Sequence, residues 1–149
     1  MSNPRSGIEY IGVTCVFICH DGKGKILLHK RSQNCRDERG RWDSGAGELE
    51  YGEDFELAVE REILEEYGCQ AENIRQLGVH NVIRNEEEGL THWVAVVFSA
   101  QVDPAEVKIG EPHKMDEIGW FSPKDPPSPL HSQLKTYLNF LGDIDTLET

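Results

Sequence analysis

Gly47 to Cys69 reads GELEYGEDFELAVEREILEEYGC. From Glu53 to Tyr67 there is neither Gly nor Pro, and Gly68 supplies a C-terminal stop, so the spacing predicts a helix over 53–67. Phe55, Ala58, Val59 and Ile63 fall on the stripe that a 3.6-residue period turns toward a core. Continuing the stripe by three and four residues lands on Glu62 and Glu66, and Glu65 shares their side of the helix. A carboxylate at the edge of a buried stripe is costly unless it is paired or bound to a cation. The run also sets Glu53 against Glu56, Glu56 against Glu60, and Glu62 against both Glu65 and Glu66, with Arg61 as its only base. At roughly 0.2 to 0.5 kcal/mol per like-charged neighbour, these pairs cost on the order of 1 to 2 kcal/mol. Glu65 and Glu66 also stand at the negative end of the helix dipole. The helix therefore tolerates repulsion for a reason outside its own stability. A solvated acidic face is the bland reading, and the stripe position weighs against it. Three converging carboxylates make a hard-oxygen site suited to Mg²⁺ or Mn²⁺, whose shell usually keeps waters and substrate phosphates.

Ahead of this helix, Ile8 to Cys19 is apolar on both parities, as in a strand buried on both faces. DGKG at 21–24 predicts a tight turn, and Lys25 to Lys30 a second strand returning as hairpin partner of the first. A polar loop, SQNCRDERGR, follows at 32–41, then three Gly between 45 and 52. Beyond the helix, 74–83 and 91–102 read as strands separated by an acidic loop, Asn85 to Gly89, with a short strand near Ile118 to Phe121. Pro126, Pro127 and Pro129 punctuate the chain before Ser132 to Leu141, whose apolar residues at 134, 137, 138 and 141 predict a second amphipathic helix. The tail GDIDTLET reads as frayed. Strands before, between and after two helices predict one α/β domain over 1–149, a mixed sheet covered on both faces.

Composition bounds the partners. The chain has 149 residues, 38% of them hydrophobic, which fits a single domain with a real core and excludes a solvated disordered chain. Its 15 Lys and Arg against 27 Asp and Glu leave a net charge of -12, so most of the surface repels a polyanion and no nucleic-acid polymer is expected. A small phosphorylated ligand remains compatible where a bound cation inverts the local field. Cys15, Cys19, Cys35 and Cys69 include no CxxC pair, so reduced thiols are expected, with neither a disulfide framework nor a zinc site. MSNPRSGIEY carries no apolar signal core and Ile8 to Cys19 is too short to span a bilayer, so a cytoplasmic protein with no membrane partner is expected.

The pattern Gly47, five residues, Glu53, seven residues, then Arg61-Glu62-Ile63-Leu64-Glu65-Glu66-Tyr67-Gly68 resembles the Nudix box of the Nudix hydrolase superfamily, MutT-like in type, at every fixed position. Cys69 stands where a large aliphatic is usual. The resemblance implies an α/β/α sandwich with a mixed β-sheet and metal-dependent hydrolysis, with Mg²⁺ or Mn²⁺, of a nucleoside diphosphate linked to another moiety. It implies metal ligands at Glu62, Glu65 and Glu66 and a metal-facing carbonyl at Gly47. It makes Arg61 the residue that orients box carboxylates, and Glu53 a structural residue or outer ligand. One box glutamate, or one from a distant loop, would polarise the attacking water. The chain departs from the frequent Pro-Gly-Gly with Ser44-Gly45-Ala46 before Gly47. A small soluble nucleotide is the implied substrate. A nucleoside triphosphate giving monophosphate and pyrophosphate is favoured, because the chain is compact and carries no added recognition domain. ADP-ribose or a nucleotide sugar is the alternative, and a non-catalytic nucleotide sensor the rival from another class. A homodimer is common in the family.

Glu111, in GEPHKMDEIGW, lies where many relatives place an extra metal-facing carboxylate, and Asp116 and Glu117 compete for that role. Glu86, Glu87 and Glu88 read as a solvated hairpin tip. His92 and Trp93 begin a strand that can border a base pocket, although core packing is the commoner use of a Trp. Trp42 and Trp120 read as packing residues. Arg31 and Arg41 are within reach of a substrate phosphate, although such loop arginines are more often solvated. DGKG lacks the phosphate-loop pattern and precedes a strand, and the six His show no HExxH.

Overall fold

In a computed structural model, which describes residues 3–142, strand β1 (Gly12–His20) explains its own all-apolar sequence by alternation. Cys15, Phe17 and Cys19 pack on one face with Ala58, Val59, Ile63 and Tyr67 of helix α1 (Phe55–Tyr67). Val16 and Ile18 pack on the other with Leu134 and Tyr137 of helix α2 (Leu134–Asn139). The expected mixed sheet covered on both faces is therefore present: β1 runs parallel to β6 (Gly89–Gln101) from Gly12↔Trp93 to His20↔Gln101, and β6 runs antiparallel to β5 (Glu72–Glu86). β7 (Met115–Phe121) completes the far side by pairing antiparallel with β2 (Ile26–Arg31).

The DGKG turn forms around Asp21, whose Oδ1 accepts the Lys23 and Lys25 backbone N–H groups at 2.7 and 3.0 Å. The hairpin expected from it forms, but only at its turn end. β1 and β2 pair only at His20↔Ile26 and then splay apart. Two short strands fill the fork. β4 (Gly45–Glu48) pairs with β1 through Thr14↔Glu48 to Phe17↔Gly45, and β3 (Trp42–Asp43) pairs with β2 at His29↔Asp43 and Lys30↔Trp42. Glycine hides these strands from propensity reading because it lacks a side chain that favours the pleat. Here the missing Cβ is what the fork requires: one added at Gly45 would enter the Phe17 ring, and one at Gly47 would enter the Glu62 carboxyl.

Other boundaries move for identifiable reasons. β1 starts at Gly12 and leaves Ile8, Tyr10 and Ile11 exposed. The acidic segment 85–89 is mostly ladder, with Asn85↔Leu90 and Glu86↔Gly89 paired, so only Glu87 and Glu88 turn the corner ahead of Gly89 at φ 127°. α2 is shorter than its apolar pattern, and the tail at 143–149 lies outside the described residues. All four cysteines are free, and among the described residues no helix is long and apolar enough to cross a membrane.

Candidate active site

α1 begins at Phe55, so Glu53 stands just ahead of it and not within it, which removes the expected helical contact between Glu53 and Glu56. Arg61 reaches back to Glu53 with both Nε (2.7 Å to Oε2) and Nη2 (2.9 Å to Oε1), a bidentate pair. Its Nη1 donates to Glu62 Oε1 at 2.7 Å and lies 3.6 Å from Glu65. One guanidinium thus gathers the carboxylates that the sequence set against one another. Through that hydrogen-bonded pairing Arg61 holds the Glu53 carboxyl down at about 2, and Glu53 in turn raises the Arg61 pKa further.

The C-terminus of α1 ends at Gly68, left-handed at φ 65°, whose N–H bonds the Leu64 carbonyl. The next free carbonyls are taken by a loop: Lys108 N–H donates to Tyr67 O at 3.0 Å and Gly110 N–H to Glu66 O at 2.8 Å. A side chain at Gly110 would strike the Glu65 carbonyl, so the loop lies flat on the helix end and delivers Glu111 to it. Glu111 pairs with Lys114 at 3.6 Å, and its charge acts on both Glu62 and Glu66. Asp116 and Glu117 are exposed on β7, and of the three it is Glu111 whose charge acts on the box carboxylates.

Glu66 is only 6% exposed, and its Oε2 has no hydrogen-bond partner. Burial first, then the charges of Glu62, Glu111 and Asp43, push its pKa well above the carboxylate range. Burial also raises Glu62, with Arg61 pulling it down and Glu65 and Glu111 adding to the rise. Glu65 remains half exposed. Gly47 O accepts a hydrogen bond from Thr14 Oγ1 at 3.1 Å, and its Cα backs the Glu62 carboxyl. Among the described residues no three His, Cys, Asp or Glu side chains are drawn around a single point fit for an ion. Arg61 instead holds one end of the carboxylate fan, and Glu66 keeps a bare buried oxygen at the other.

A cleft of about 350 Å³ opens over Glu66, with Asp43 and Ser44 beside it and Arg31, Arg36 and Lys114 among its lining. Ser44, at the departure from Pro-Gly-Gly, is buried and leaves its Oγ without a partner, the second orphan oxygen of the cleft. Asp43 is raised by burial and drawn back by His131 and by Arg31, whose Nη1 lies 3.7 Å away. His29 bonds the Tyr67 hydroxyl at 2.7 Å, and burial lowers it to about 4. Of the two arginines singled out in the sequence, Arg31 lines the cleft, whereas Arg41 turns away to the Leu130 carbonyl. Trp42 packs against Phe121 and Trp120 against the α1-side core. Arg36, Asp43, Ser44 and Lys114 are additions that sequence reading missed, since only the fork and the two loops bring them together.

The chain belongs to the NUDIX domain family, whose model matches residues 10–140. Its backbone is similar to the crystal structure of a MutT NUDIX hydrolase from Burkholderia pseudomallei, with TM-score 0.78 and 33% identity, covering 89% of this chain and 99% of that one. It is 28% identical over 140 residues to the 8-oxo-dGDP phosphatase NUDT18 of Mus musculus, covering 93% of this chain and 40% of that protein. It is 31% identical over 102 residues to the NAD-capped RNA hydrolase NudC of Actinobacillus succinogenes, covering 66% of this chain and 36% of that protein. The chain thus spans well under half the length of these two relatives.

Proposed function

We propose that this Nudix hydrolase is a divalent-metal-dependent pyrophosphohydrolase of small nucleotides, cleaving a nucleoside triphosphate to monophosphate and pyrophosphate. The observation that carries the reading is the bare, buried Glu66 oxygen, in a carboxyl repelled by Glu62, Glu111 and Asp43 and lining a cleft with basic residues among its walls. A buried carboxylate repelled by three others calls for a cation, and hard oxygens suit Mg²⁺ or Mn²⁺. Glu62, Glu65, Glu66 and Glu111, with the Gly47 carbonyl, would hold it. The ion, when bound, neutralises phosphate charge and acidifies a water.

The chain's own residues do the rest. Arg61 and Glu53 fix the Glu62 carboxylate against Gly47 and so position the ligand set. Arg31, Arg36 and Lys114 favour a string of phosphates over a second sugar in the cleft. Water attacks a phosphorus atom and gives its proton to a carboxylate of the fan, and the bond to the bridging oxygen breaks as pyrophosphate leaves. The named relatives act on a nucleoside diphosphate and on an NAD cap, so ADP-ribose and nucleotide sugars belong in the test. The experiment is a panel of nucleoside triphosphates, ADP-ribose and nucleotide sugars with Mg²⁺, Mn²⁺ or chelator, products being resolved by chromatography. Triphosphates should turn over fastest and chelation should stop them. Nucleotide binding without turnover would make the protein a sensor, and full turnover after exhaustive metal removal would overturn the metal site.

A further inference from the structure

A second cavity, a groove of about 230 Å³, lies over the α2 side of the sheet and shares one residue with the cleft: Arg36 lines both. The groove is walled by Trp93, Tyr137 and Val82 and edged by Glu48 and Gln133. Its aromatic walls are held in place. The Trp93 ring lies so close to Gly7 and Gly12 that a Cβ at either would enter it, and Tyr137 meets the His80 ring edge-on at 6.1 Å. The half-buried Trp93 ring, fixed in this way, suits stacking of a planar base, while the buried Tyr137 closes the groove beneath it.

Arg36 is conspicuous for what it lacks. Among the arginines and lysines of the cleft, Arg31 is taken by Asp37 at 2.8 Å and Asp43 at 3.7 Å, and Lys114 by Glu111 at 3.6 Å. Arg36 is exposed and makes neither an ion pair nor a side-chain hydrogen bond among the described residues, in a chain carrying 27 acidic side chains. Its backbone, by contrast, is pinned on both sides. Cys35 N–H bonds Ser32 O at 3.2 Å and Cys35 Sγ bonds Lys114 O at 3.2 Å, while Arg31 clasps Asp37. Glu38 sits in the left-handed region at φ 46°, where a residue with a side chain persists only when its surroundings hold it. Its carboxylate accepts from Ser132 N–H at 2.6 Å and Ser132 Oγ at 3.1 Å, and pairs with His131 at 2.6 Å and Arg84 at 3.4 Å. A loop bolted down on either side of one free arginine presents that arginine to something outside the chain.

We infer that Arg36 grips the phosphate of a substrate that lies across both cavities, its nucleoside in the groove and its scissile phosphates over Glu66. This rests on the pyrophosphohydrolase reading and makes Arg36 a specificity-determining residue, since it selects ligands whose phosphates follow directly on a base-bearing sugar.

The test uses Arg36→Ala and Arg36→Lys in the full chain, with three probes: the nucleoside triphosphate that wild type binds best, its free nucleoside, and inorganic pyrophosphate. Binding is followed by tryptophan fluorescence and titration calorimetry with Ca²⁺, a hard cation for the same oxygens, and turnover with Mg²⁺. Arg36→Ala should weaken triphosphate binding and raise KM by roughly 10- to 100-fold, the scale of a charge-assisted contact. It should change nucleoside affinity less than about twofold and leave the melting temperature unchanged, there being no internal partner to lose. Arg36→Lys should recover part of the loss. Equal triphosphate affinity in wild type and Arg36→Ala would overturn the inference, as would equal losses for nucleoside and triphosphate, or a lowered melting temperature that accounts for the defect. A wild type that binds triphosphate without hydrolysing it would defeat the catalytic reading alone, because the affinity ratio still decides the role of Arg36.

Discussion

Glu66→Gln keeps the shape of a buried side chain and deletes its charge, so it separates a metal ligand from an ordinary helix residue. In the metal-free protein, burial and the charges of Glu62 one turn away, Glu111 and Asp43 all oppose ionisation of Glu66, whose Oε2 is unpartnered. Relief of the i+4 repulsion contributes about 0.2 to 0.5 kcal/mol. An unsatisfied buried acceptor costs about 1 to 3 kcal/mol, and the Gln amide, with N–H groups of its own to satisfy, recovers only part of this. The variant should therefore be more stable than wild type without metal by up to about 1 kcal/mol. The gain should shrink toward pH 4, where the raised pKa leaves Glu66 neutral in the folded state. With metal the order reverses: wild type at a hundredfold excess over Kd gains about 2.7 kcal/mol. That corresponds to a melting shift on the order of 5 to 10 °C for a chain of this size. The variant should show less than half of that shift and lose most turnover. Urea and thermal melts with chelator and with Mg²⁺, beside one hydrolysis assay, read all three quantities. An undiminished metal shift with retained turnover would refute the ligand role. A large loss of metal-free stability would instead assign Glu66 to structure.

Gly47→Ala puts a methyl where the Glu62 carboxyl lies, so it should cost about 1 to 3 kcal/mol by overpacking and reduce the metal-induced shift; an unchanged shift would show that Glu62 is not needed in that position. Arg61→Ala strips charge-assisted bonds from Glu53 and Glu62 at once and should lower urea stability by about 2 kcal/mol, with Arg61→Lys intermediate. A loss under about 0.5 kcal/mol would mean that the pairing is solvent-screened and inert. His29 gives the pH dependence. Its folded pKa of about 4 lies below the usual 6.5, so folding favours the neutral ring. Its stabilising contribution is full above pH 6.5 and is lost as pH falls to 4, by about 3 kcal/mol. Glu53, held near 2, carries the acid loss further below pH 4.5. Urea melts from pH 4 to 8 should show this slope in wild type and a flatter one in His29→Gln; equal slopes would refute it.

Much of this was readable from the chain because α1 follows simple rules. A Gly- and Pro-free run, a left-handed stop at Gly68 and a stripe through Ala58, Val59 and Ile63 reappear in the structure, and the odd acidic positions were visible against that stripe. Three things were not readable. β3 and β4 are built on Gly45 and Gly47, whose value lies in the absent Cβ, a property of their neighbours Phe17 and Glu62. The divergence of β1 from β2 depends on what wedges between them and leaves no local mark. The loop bases Arg36 and Lys114 look like solvent-facing charges until Ser32 Oγ binds the His113 carbonyl at 2.6 Å and Cys35 Sγ the Lys114 carbonyl, tying the two loops together across the cleft.

The acidic hairpin tip offers an internal control on reasoning from charge. Glu87 and Glu88 are as densely acidic as Glu65 and Glu66, yet both are exposed at a turn, where water meets the cost of their charge. At Glu66, α1 has no such relief. It carries no side-chain N-cap bond and no base in its last turn, and it buries Glu66 beside Tyr67 with one oxygen unpaired. Its stability must come from the core face, where Ala58, Val59, Ile63 and Tyr67 are sealed against β1. Apolar burial of that size can hold a helix that charge alone would loosen, since each large side chain contributes about 1.5 to 3 kcal/mol. The repulsion is thus concentrated at one point of the fold and not spread over its surface. Like charge, an orphan oxygen and a glycine kept bare for a carboxylate have different physical origins, and their coincidence at Glu62 and Glu66 is the place where the proposed cation would restore the balance.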